Sequence, residues 1–298
     1  MTVVETRKRA LILGISNERS IAMATLEAMV EAGFDVIATT VPNPSIWAKA
    51  TKALGADFPL YSLDVAGSDD DILKLAETVK ERWPDGFDYL VHAIAFSDKD
   101  ELKGSIFNTS RENYLRTQDI SAYSLLAVCK HLGPLMRPGG GVSAYTFAAS
   151  RFRSPNYNTM AMAKAALETL IKYIAFEPLF GGRNIKVIGI SAGPVPTLSA
   201  MGVHGFRESM KIAAERSATG ANVTADIVGQ ATLMLLQTPG ITGSVHDVDN
   251  GVVHAGMGAG DGEYAFYAKA LGPYHKELEA AAKASVTAME NPSAGTEI

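Results

Sequence analysis

A phenol and an ammonium seven residues apart are the side chains of this chain best suited to chemistry on an oxygen atom: Tyr157 and Lys164, in the run Asn156-Tyr157-Asn158-Thr159-Met160-Ala161-Met162-Ala163-Lys164. At 3.6 residues per turn this interval puts both side chains on one face of a single helix, with about 10 Å of axial rise between them. A lysine stem covers much of that gap. A tyrosine titrates near pH 10 and a fixed positive charge nearby lowers that value, which makes the hydroxyl a better donor to a developing oxyanion. The spacing therefore gives Tyr157 the part of donor and Lys164 that of electrostatic support, a pair suited to hydride chemistry on a carbonyl-conjugated substrate. A Tyr and a Lys at one helical interval also arise from packing plus a solvated charge, so the surrounding elements must decide.

Those elements alternate. Ala10-Leu11-Ile12-Leu13 reads as a strand, residues from about Ser20 to Ala32 as a helix stopped by Gly33, and Val36 to Thr40 as a second strand, which together make one βαβ unit. Further strand candidates are Leu60 to Leu63, Tyr89 to Ala93, Gly141 to Thr146, Ile185 to Ile190 and Ser244 to Val248. Largely apolar strands separated by helices predict an α/β fold, a doubly wound parallel sheet of Rossmann-like type covered on both faces. No linker interrupts the rhythm before Met257, so residues 1–257 read as a single domain. Residues 258–298, rich in Ala, Glu and Lys, read as a partly helical C-terminal extension with one stretch from about Lys276 to Met289.

Composition excludes several classes of function. The 298 residues carry a net charge of -5 with both signs interspersed, and no Lys/Arg stripe exists to track a phosphate backbone, so nucleic acid is not an expected partner. The single cysteine, Cys129, lies in an apolar helical stretch and reads as a small buried hydrophobe. The start of the chain is too polar for a signal peptide and no apolar run reaches membrane-spanning length, which predicts a cytoplasmic protein with no membrane partner. His204, His246 and His254 have no metal-ligand spacing, and no metal is assigned. His92 reads as a hydrogen-bonded structural histidine, Trp47 and Trp83 as packing residues, and Asp69-Asp70-Asp71 as the acidic start of a helix.

In an open parallel sheet, ligands bind beyond the carboxyl ends of the strands, with a pyrophosphate at the first helix N-terminus. The first strand-to-helix turn here, Gly14-Ile15-Ser16-Asn17-Glu18-Arg19-Ser20-Ile21-Ala22-Met23-Ala24, is not a GxGxxG. Gly14 still permits a tight turn, Ser20 is a good N-cap and Ala24 allows close packing. A plain strand-to-helix turn is the other reading of this segment. Asp64 and Val65, past the third strand, suit an adenine edge through a carboxylate and a backbone amide; an aspartate there equally suits a helix cap.

Several segments together resemble the enoyl-acyl-carrier-protein reductases, the divergent branch of the short-chain dehydrogenase/reductases found in bacterial fatty-acid synthesis. They are Gly14 with Ser20-Ile21-Ala22, Val91 to Ser97, Asp119-Ile120-Ser121-Ala122-Tyr123-Ser124, Tyr157 with Lys164-Ala165-Ala166-Leu167-Glu168, Ser191-Ala192-Gly193-Pro194, and Ile241-Thr242-Gly243. Ordinary short-chain dehydrogenases use Tyr-xxx-Lys and a serine thirteen residues before the tyrosine; this chain has Ala161 and Ala144 at those places. The resemblance implies reduction of the 2,3 double bond of an enoyl thioester by a nicotinamide cofactor, with hydride delivered to the β-carbon. Tyr157 would meet the enolate oxygen, and Lys164 would hold the nicotinamide ribose and support the anion. By the same matching Gly14, Ser20 and Ile21 would line the pyrophosphate, Asp64 and Val65 the adenine, Ile94 the nicotinamide ribose, and Val195 and Thr197 the nicotinamide. Ser97, Phe147 and Met201 fall on the substrate side, with residues 198–212 as a mobile apolar lid or, more plainly, a core-edge helix. The resemblance also implies an acyl-carrier-protein-bound substrate and a homotetramer.

Three positions depart from the family pattern. Phe147 stands where the bacterial enzymes carry a second tyrosine, and Pro196, which has no amide hydrogen, where the family often has a basic or polar residue. Val41 stands where NADH-using relatives often have glutamine; with neither an acid nor an arginine at Thr40-Val41-Pro42, the choice leans to NADH over NADPH. The competing readings are a ketone or conjugated-ring reductase and a non-catalytic nucleotide-binding paralogue.

Overall fold

The four residues Ala10 to Leu13 are wholly buried, and a run apolar on both faces forms a stable strand only with cover on both sides. A computed structural model, describing residues 7–255, places them in β1 (Arg9–Leu13), inside a sheet of seven parallel strands ordered β3-β2-β1-β4-β5-β6-β7. In chain order the elements after β1 are α1 (Ile21–Glu31), β2 (Asp35–Thr40), α2 (Pro44–Leu54), β3 (Leu60–Ser62), α3 (Asp70–Arg82) and β4 (Phe87–His92). Then come α4 (Lys99–Leu102), α5 (Arg111–Gln118), a π-helical turn (Asp119–Tyr123), α6 (Ser124–Leu132), β5 (Met136–Thr146) and α7 (Asn158–Phe176). The rest are β6 (Lys186–Ala192), α8 (Leu198–Met201), α9 (Phe206–Arg216), α10 (Ala225–Gln237) and β7 (Val245–Val248).

Alternate side chains along each strand feed two cores. Leu11, Leu13, Leu90 and Val142 pack with α3, α6 and α7 through Ile72, Leu75, Leu125, Val128, Leu167 and Ile171. Ile12, Val91, Ile188 and Ile190 pack with α1 and α10 through Leu26, Met29, Val228 and Leu236 on the other face. This is the doubly wound parallel arrangement expected from the strand pattern. The chain builds β1 to β3 in one direction and then returns to place β4 on the other side of β1, so the switch point lies between β1 and β4.

The strands expected at Tyr89 and Gly141 begin earlier, at Phe87 and Met136. Pairing of Phe87 with Met136, with a register shift before Tyr89, draws the Gly139-Gly140-Gly141 run into the sheet. Trp83 is buried beside Phe87, with ring centroids 6.1 Å apart, and its indole donates to Asp35 at 2.7 Å; Trp47 on α2 is half-buried. Cys129 is buried in α6, where the loss of solvent pushes its thiol up to about 12. Among the described residues no helix is long and apolar enough to cross a membrane, and no cluster of three or more His, Cys, Asp or Glu could hold a metal ion. Contacts along the chain divide at Val253/His254. The expected boundary at Met257 and the helix expected near 276–289 lie outside the described residues.

Helices α1 and α10 meet at Gly229. A Cβ there would stand 2.7 Å from the carbonyl carbon and oxygen of Ala24 and 2.9 Å from the amide of Thr25, all backbone atoms that cannot rotate away. Helix propensity favours Gly229→Ala by about 1 kcal/mol, whereas overpacking costs about 1–3 kcal/mol. The second effect wins, so the variant should unfold at lower urea and melt several degrees lower; an unchanged or raised midpoint would show that the two helices part freely.

Candidate active site

A cleft of about 610 Å³ opens at the carboxyl ends of β1, β4, β5 and β6, at the switch point. Gly14, Ser20 and Ile21 line it from the first turn, Ile94 and Ser97 from the loop after β4, Phe147 from the end of β5, Tyr157 and Lys164 from α7 and its cap, and Val195 and Thr197 from the loop after β6. Ten of the expected site residues therefore meet in one cavity. The other four do not line it. Val41 is exposed past β2. Asp64 uses its carboxylate to accept from the Ala66 amide at 3.0 Å, and the Val65 side chain is buried in the core beneath α3. Met201 ends α8, 37 % exposed. Residues 198–212, expected as a lid or a core-edge helix, fold as the short α8, a turn and the start of α9.

The first turn is built for close approach. Gly14 has φ +93, and a Cβ on it would lie 2.4 Å from the Ala93 carbonyl oxygen; its own amide and that of Ile15 donate to the Thr39 carbonyl at 3.2 and 2.8 Å. Ser20 caps α1, accepting from the Met23 amide at 3.1 Å and donating to the Asn17 carbonyl at 2.9 Å. The first turn of α1 carries no acidic residue to offset the partial positive charge of that helix end. Small side chains and a helix N-terminus beside the cleft fit a dinucleotide pyrophosphate.

The tyrosine and lysine depart from the expected geometry. Asn156 is left-handed (φ 56), its side chain accepting from the Gly104 amide and donating to the His204 carbonyl, both at 3.0 Å. That turn stops the helix from starting earlier. Tyr157 therefore sits at the N-cap of α7 with φ -135, outside the helix, and the one-face argument from seven-residue spacing fails. The expected lowering of the phenol's pKa is also corrected: burial pushes Tyr157 above the usual tyrosine range. Lys164 is 6 % exposed, and its ammonium donates to the Tyr145 carbonyl at 2.6 Å. Loss of solvent pulls the lysine down to about 8, with the Glu168 carboxylate acting in the opposite direction. Phe147 packs edge-on against the Tyr157 ring, centroids 5.2 Å apart at 75°.

Residues that sequence reasoning did not single out hold these in place. The Ser121 hydroxyl, on the π-helical turn, donates to the Phe96 carbonyl and accepts from the Phe96 amide, both at 2.9 Å. Thr117 donates to Ser97 at 3.0 Å, and Asn113 accepts from the Asp98 amide at 2.9 Å. Ser121 lies in the Asp119–Ser124 segment of the family pattern, which was the available signal; a π-turn has no periodicity to betray it. On the other face the Tyr145 hydroxyl bridges Thr25 of α1 at 2.5 Å and Thr232 of α10 at 3.0 Å.

His92 is buried at the end of β4, with Nε2 2.8 Å from the Ser124 hydroxyl. Because Ser124 donates to the Ile120 carbonyl at 2.7 Å, the histidine is the donor and carries its proton on Nε2. Burial and the nearby Lys164 charge hold it neutral, down to about 3. The unfolded chain binds a proton below about pH 6.5 that the folded chain refuses, so this group's contribution is present above 6.5 and lost as pH falls toward 3. The unfolding free energy should fall by up to about 1.4 kcal/mol per pH unit in that window. His92→Gln should flatten the profile by a comparable slope; identical slopes for both proteins would refute the assignment.

Comparison with known proteins agrees with this geometry. The family model described as Enoyl-(Acyl carrier protein) reductase matches residues 14–253. Enoyl-[acyl-carrier-protein] reductase [NADH] 1 of Rhizobium meliloti (strain 1021) is 39% identical over 262 residues, 85% of this chain and 93% of that protein. Enoyl-[acyl-carrier-protein] reductase [NADH] FabI of Enterococcus faecalis (strain ATCC 700802 / V583) is 38% identical over 247 residues, 82% of this chain and 97% of that protein. The crystal structure of FabI from Candidatus Liberibacter asiaticus, 36% identical, superposes with a TM-score of 0.77 over 82% of this chain and 95% of that one. Matched over residues 14–253 by one family model and along most of its length by reductases of one kind, the chain belongs to the enoyl-(acyl carrier protein) reductase family.

Proposed function

We propose that this protein reduces the 2,3 double bond of an enoyl thioester carried on acyl carrier protein, with NADH as the preferred reductant. The observation that carries the reading is the meeting of Tyr157, Lys164 and the first-turn residues Gly14, Ser20 and Ile21 in one cleft at the switch point. When bound there, the reduced nicotinamide supplies hydride to the substrate's β-carbon. Ser20 and the amides opening α1 hold the pyrophosphate, and Ile94, Val195 and Thr197 flank the nicotinamide end. Asp64 and Val65 take the adenine from their place past β3, outside the cleft lining.

The chain's own part is to stabilise the enolate. Because its pKa is raised, Tyr157 stays protonated through the neutral range and so remains a hydrogen-bond donor to the enolate oxygen. Phe147 holds the Tyr157 ring edge-on without adding a second hydroxyl. Lys164, charged below about pH 8, binds the ribose hydroxyls and supports the anion. Ser97 and Phe147 face the acyl chain, and Met201 with the rest of 198–212 covers it. Val41 offers no cation for a 2′-phosphate, which supports NADH. The protein works in the cytoplasm as a homotetramer; Tyr173 and Phe176, 72% and 87% exposed on α7, are large apolar side chains that assembly would cover.

The test is oxidation of NADH, and separately NADPH, on adding crotonyl and dodecenoyl thioesters of acyl carrier protein and of coenzyme A. Tyr157→Phe should lower kcat by roughly 10²–10³-fold, the loss of one oxyanion donor, with cofactor affinity kept. For the wild type, kcat/KM should hold at neutral pH and fall as pH rises through about 8, where Lys164 loses its proton. Turnover of ketones but of no enoyl thioester would move the protein to another reductase class.

A further inference from the structure

Glu168 closes the family-like run Lys164-Ala165-Ala166-Leu167-Glu168, beyond the tyrosine and lysine that meet the enolate in the proposed reduction. It is a carboxylate only 8 % exposed, one helical turn after Lys164 on the same face of α7. Carboxylates are seldom buried without a partner. Here Oε1 accepts from the Thr146 hydroxyl at 2.7 Å and the Ser150 hydroxyl at 2.5 Å. Thr146 follows Tyr145, whose carbonyl takes the Lys164 ammonium. Two consecutive residues at the end of β5 thus hold the lysine and the glutamate, one through its backbone and one through its side chain.

We propose that Glu168 is a positioning residue for the reduction: one turn from Lys164 on the same face of α7, its buried carboxylate is the anion that supports the lysine as a cation, while Thr146 and Ser150 fix where that carboxylate stands. Among the described residues Lys164 makes no ion pair: its ammonium donates to the Tyr145 carbonyl, and Glu168 adds the support of a negative charge without pairing with it. The other ionisable groups around the pair pull in different directions. His92 on β4 and Tyr157 are held neutral at working pH. Arg151, past β5, is held charged by Asp247, with which it pairs, and also by Glu168 and Asp249. Signs therefore alternate from Lys164 through Glu168 and Arg151 to Asp247 along the carboxyl edge of the sheet. On the elements packed against the other faces of α7, Arg116 is stacked on Phe96, Asp119 accepts from the Gly67 amide, and Lys130 and His131 pair with Asp69. Glu168 is thus the anion placed to support the lysine.

The inference rests on the reductase reading and on Lys164 acting as a cation. The experiment is the pH profile of kcat/KM on a crotonyl thioester from about pH 6 to about pH 10, which reports groups of the free enzyme. Glu168→Gln keeps an acceptor for both hydroxyls and removes the charge; the alkaline limb should move down by about one unit, with neutral-pH activity partly kept. Glu168→Asp keeps the charge but draws it back by one methylene, and its limb should fall between the two. Ser150→Ala, which removes one of the two hydroxyls that place the carboxylate without discharging it, should lower the limb by less than Glu168→Gln does. A limb in Glu168→Gln that coincides with the wild type, whatever its stability, overturns the proposal. Should the Gln protein fail to fold, the Asp protein decides: an unmoved limb overturns the proposal, and a lowered one supports it. A wild type that reduces the thioester with no alkaline limb would instead remove the cationic role of Lys164, and one that reduces no enoyl thioester would remove the reductase reading itself.

Discussion

A lysine ammonium withdrawn from water costs several kcal/mol unless other groups replace its hydration, and Lys164 is 6 % exposed. The floor of the cleft is organised around that replacement. Its hydrogen bond goes to the carbonyl of Tyr145, at the end of a strand paired on both sides, so the acceptor is held by the sheet. Tyr145 turns its ring to the opposite face, where its buried hydroxyl is held by Thr25 and Thr232 and is pushed up to about 12. Thr25 belongs to the helix whose first turn lines the cleft, and Thr232 to the helix packed on it at Gly229. One residue thereby joins the position of the lysine to that of the turn after β1, through the sheet rather than across the cleft.

The roof of the cleft is made differently. Helix α8 has four residues, none buried, and α9 buries only Ala213. Few apolar contacts and many exposed backbone hydrogen bonds place such segments at the low end of local stability. Asn156 ties the parts together: its side chain reaches the Gly104 loop beside α4 and the His204 carbonyl between α8 and α9, next to Tyr157 in sequence. In the proposed reaction the acyl substrate would need a cover that opens and its enolate donors that do not move. A hydrogen-bonded floor beside the thinly packed helices α8 and α9 fits that proposal.

Much of the fold was legible because it rests on local signals. Apolar runs bounded by Gly, Asn and Asp located all seven strands to within a few residues, except β5, which begins at Met136 because its glycines lie against β4. The N-cap Ser20 and the tight turn at Gly14 follow from residue chemistry alone. Ten of the expected site residues met in one cleft because strand ends in such a sheet converge on a single edge. Val41, Asp64, Val65 and Met201 did not, since position along the chain past a strand end does not say which way a side chain turns.

The amino-acid order by itself determined the period of each element, and with it a parallel sheet with two buried faces, the turn that suits a pyrophosphate, and the pairing of a phenol with an amine near one site. These depend on interactions between residues close in sequence, or on an alternation that no packing partner is needed to read. Tertiary structure alone decided the electrostatics. It put Tyr157 at a helix cap rather than in the helix, raised its pKa where a neighbouring lysine was expected to lower it, sent the Lys164 ammonium to a backbone carbonyl, and buried Glu168 one turn away. Desolvation and charge coupling are set by everything within several ångströms in space, and residues as distant in sequence as 25, 92, 145 and 232 cannot be brought together by reading along the chain.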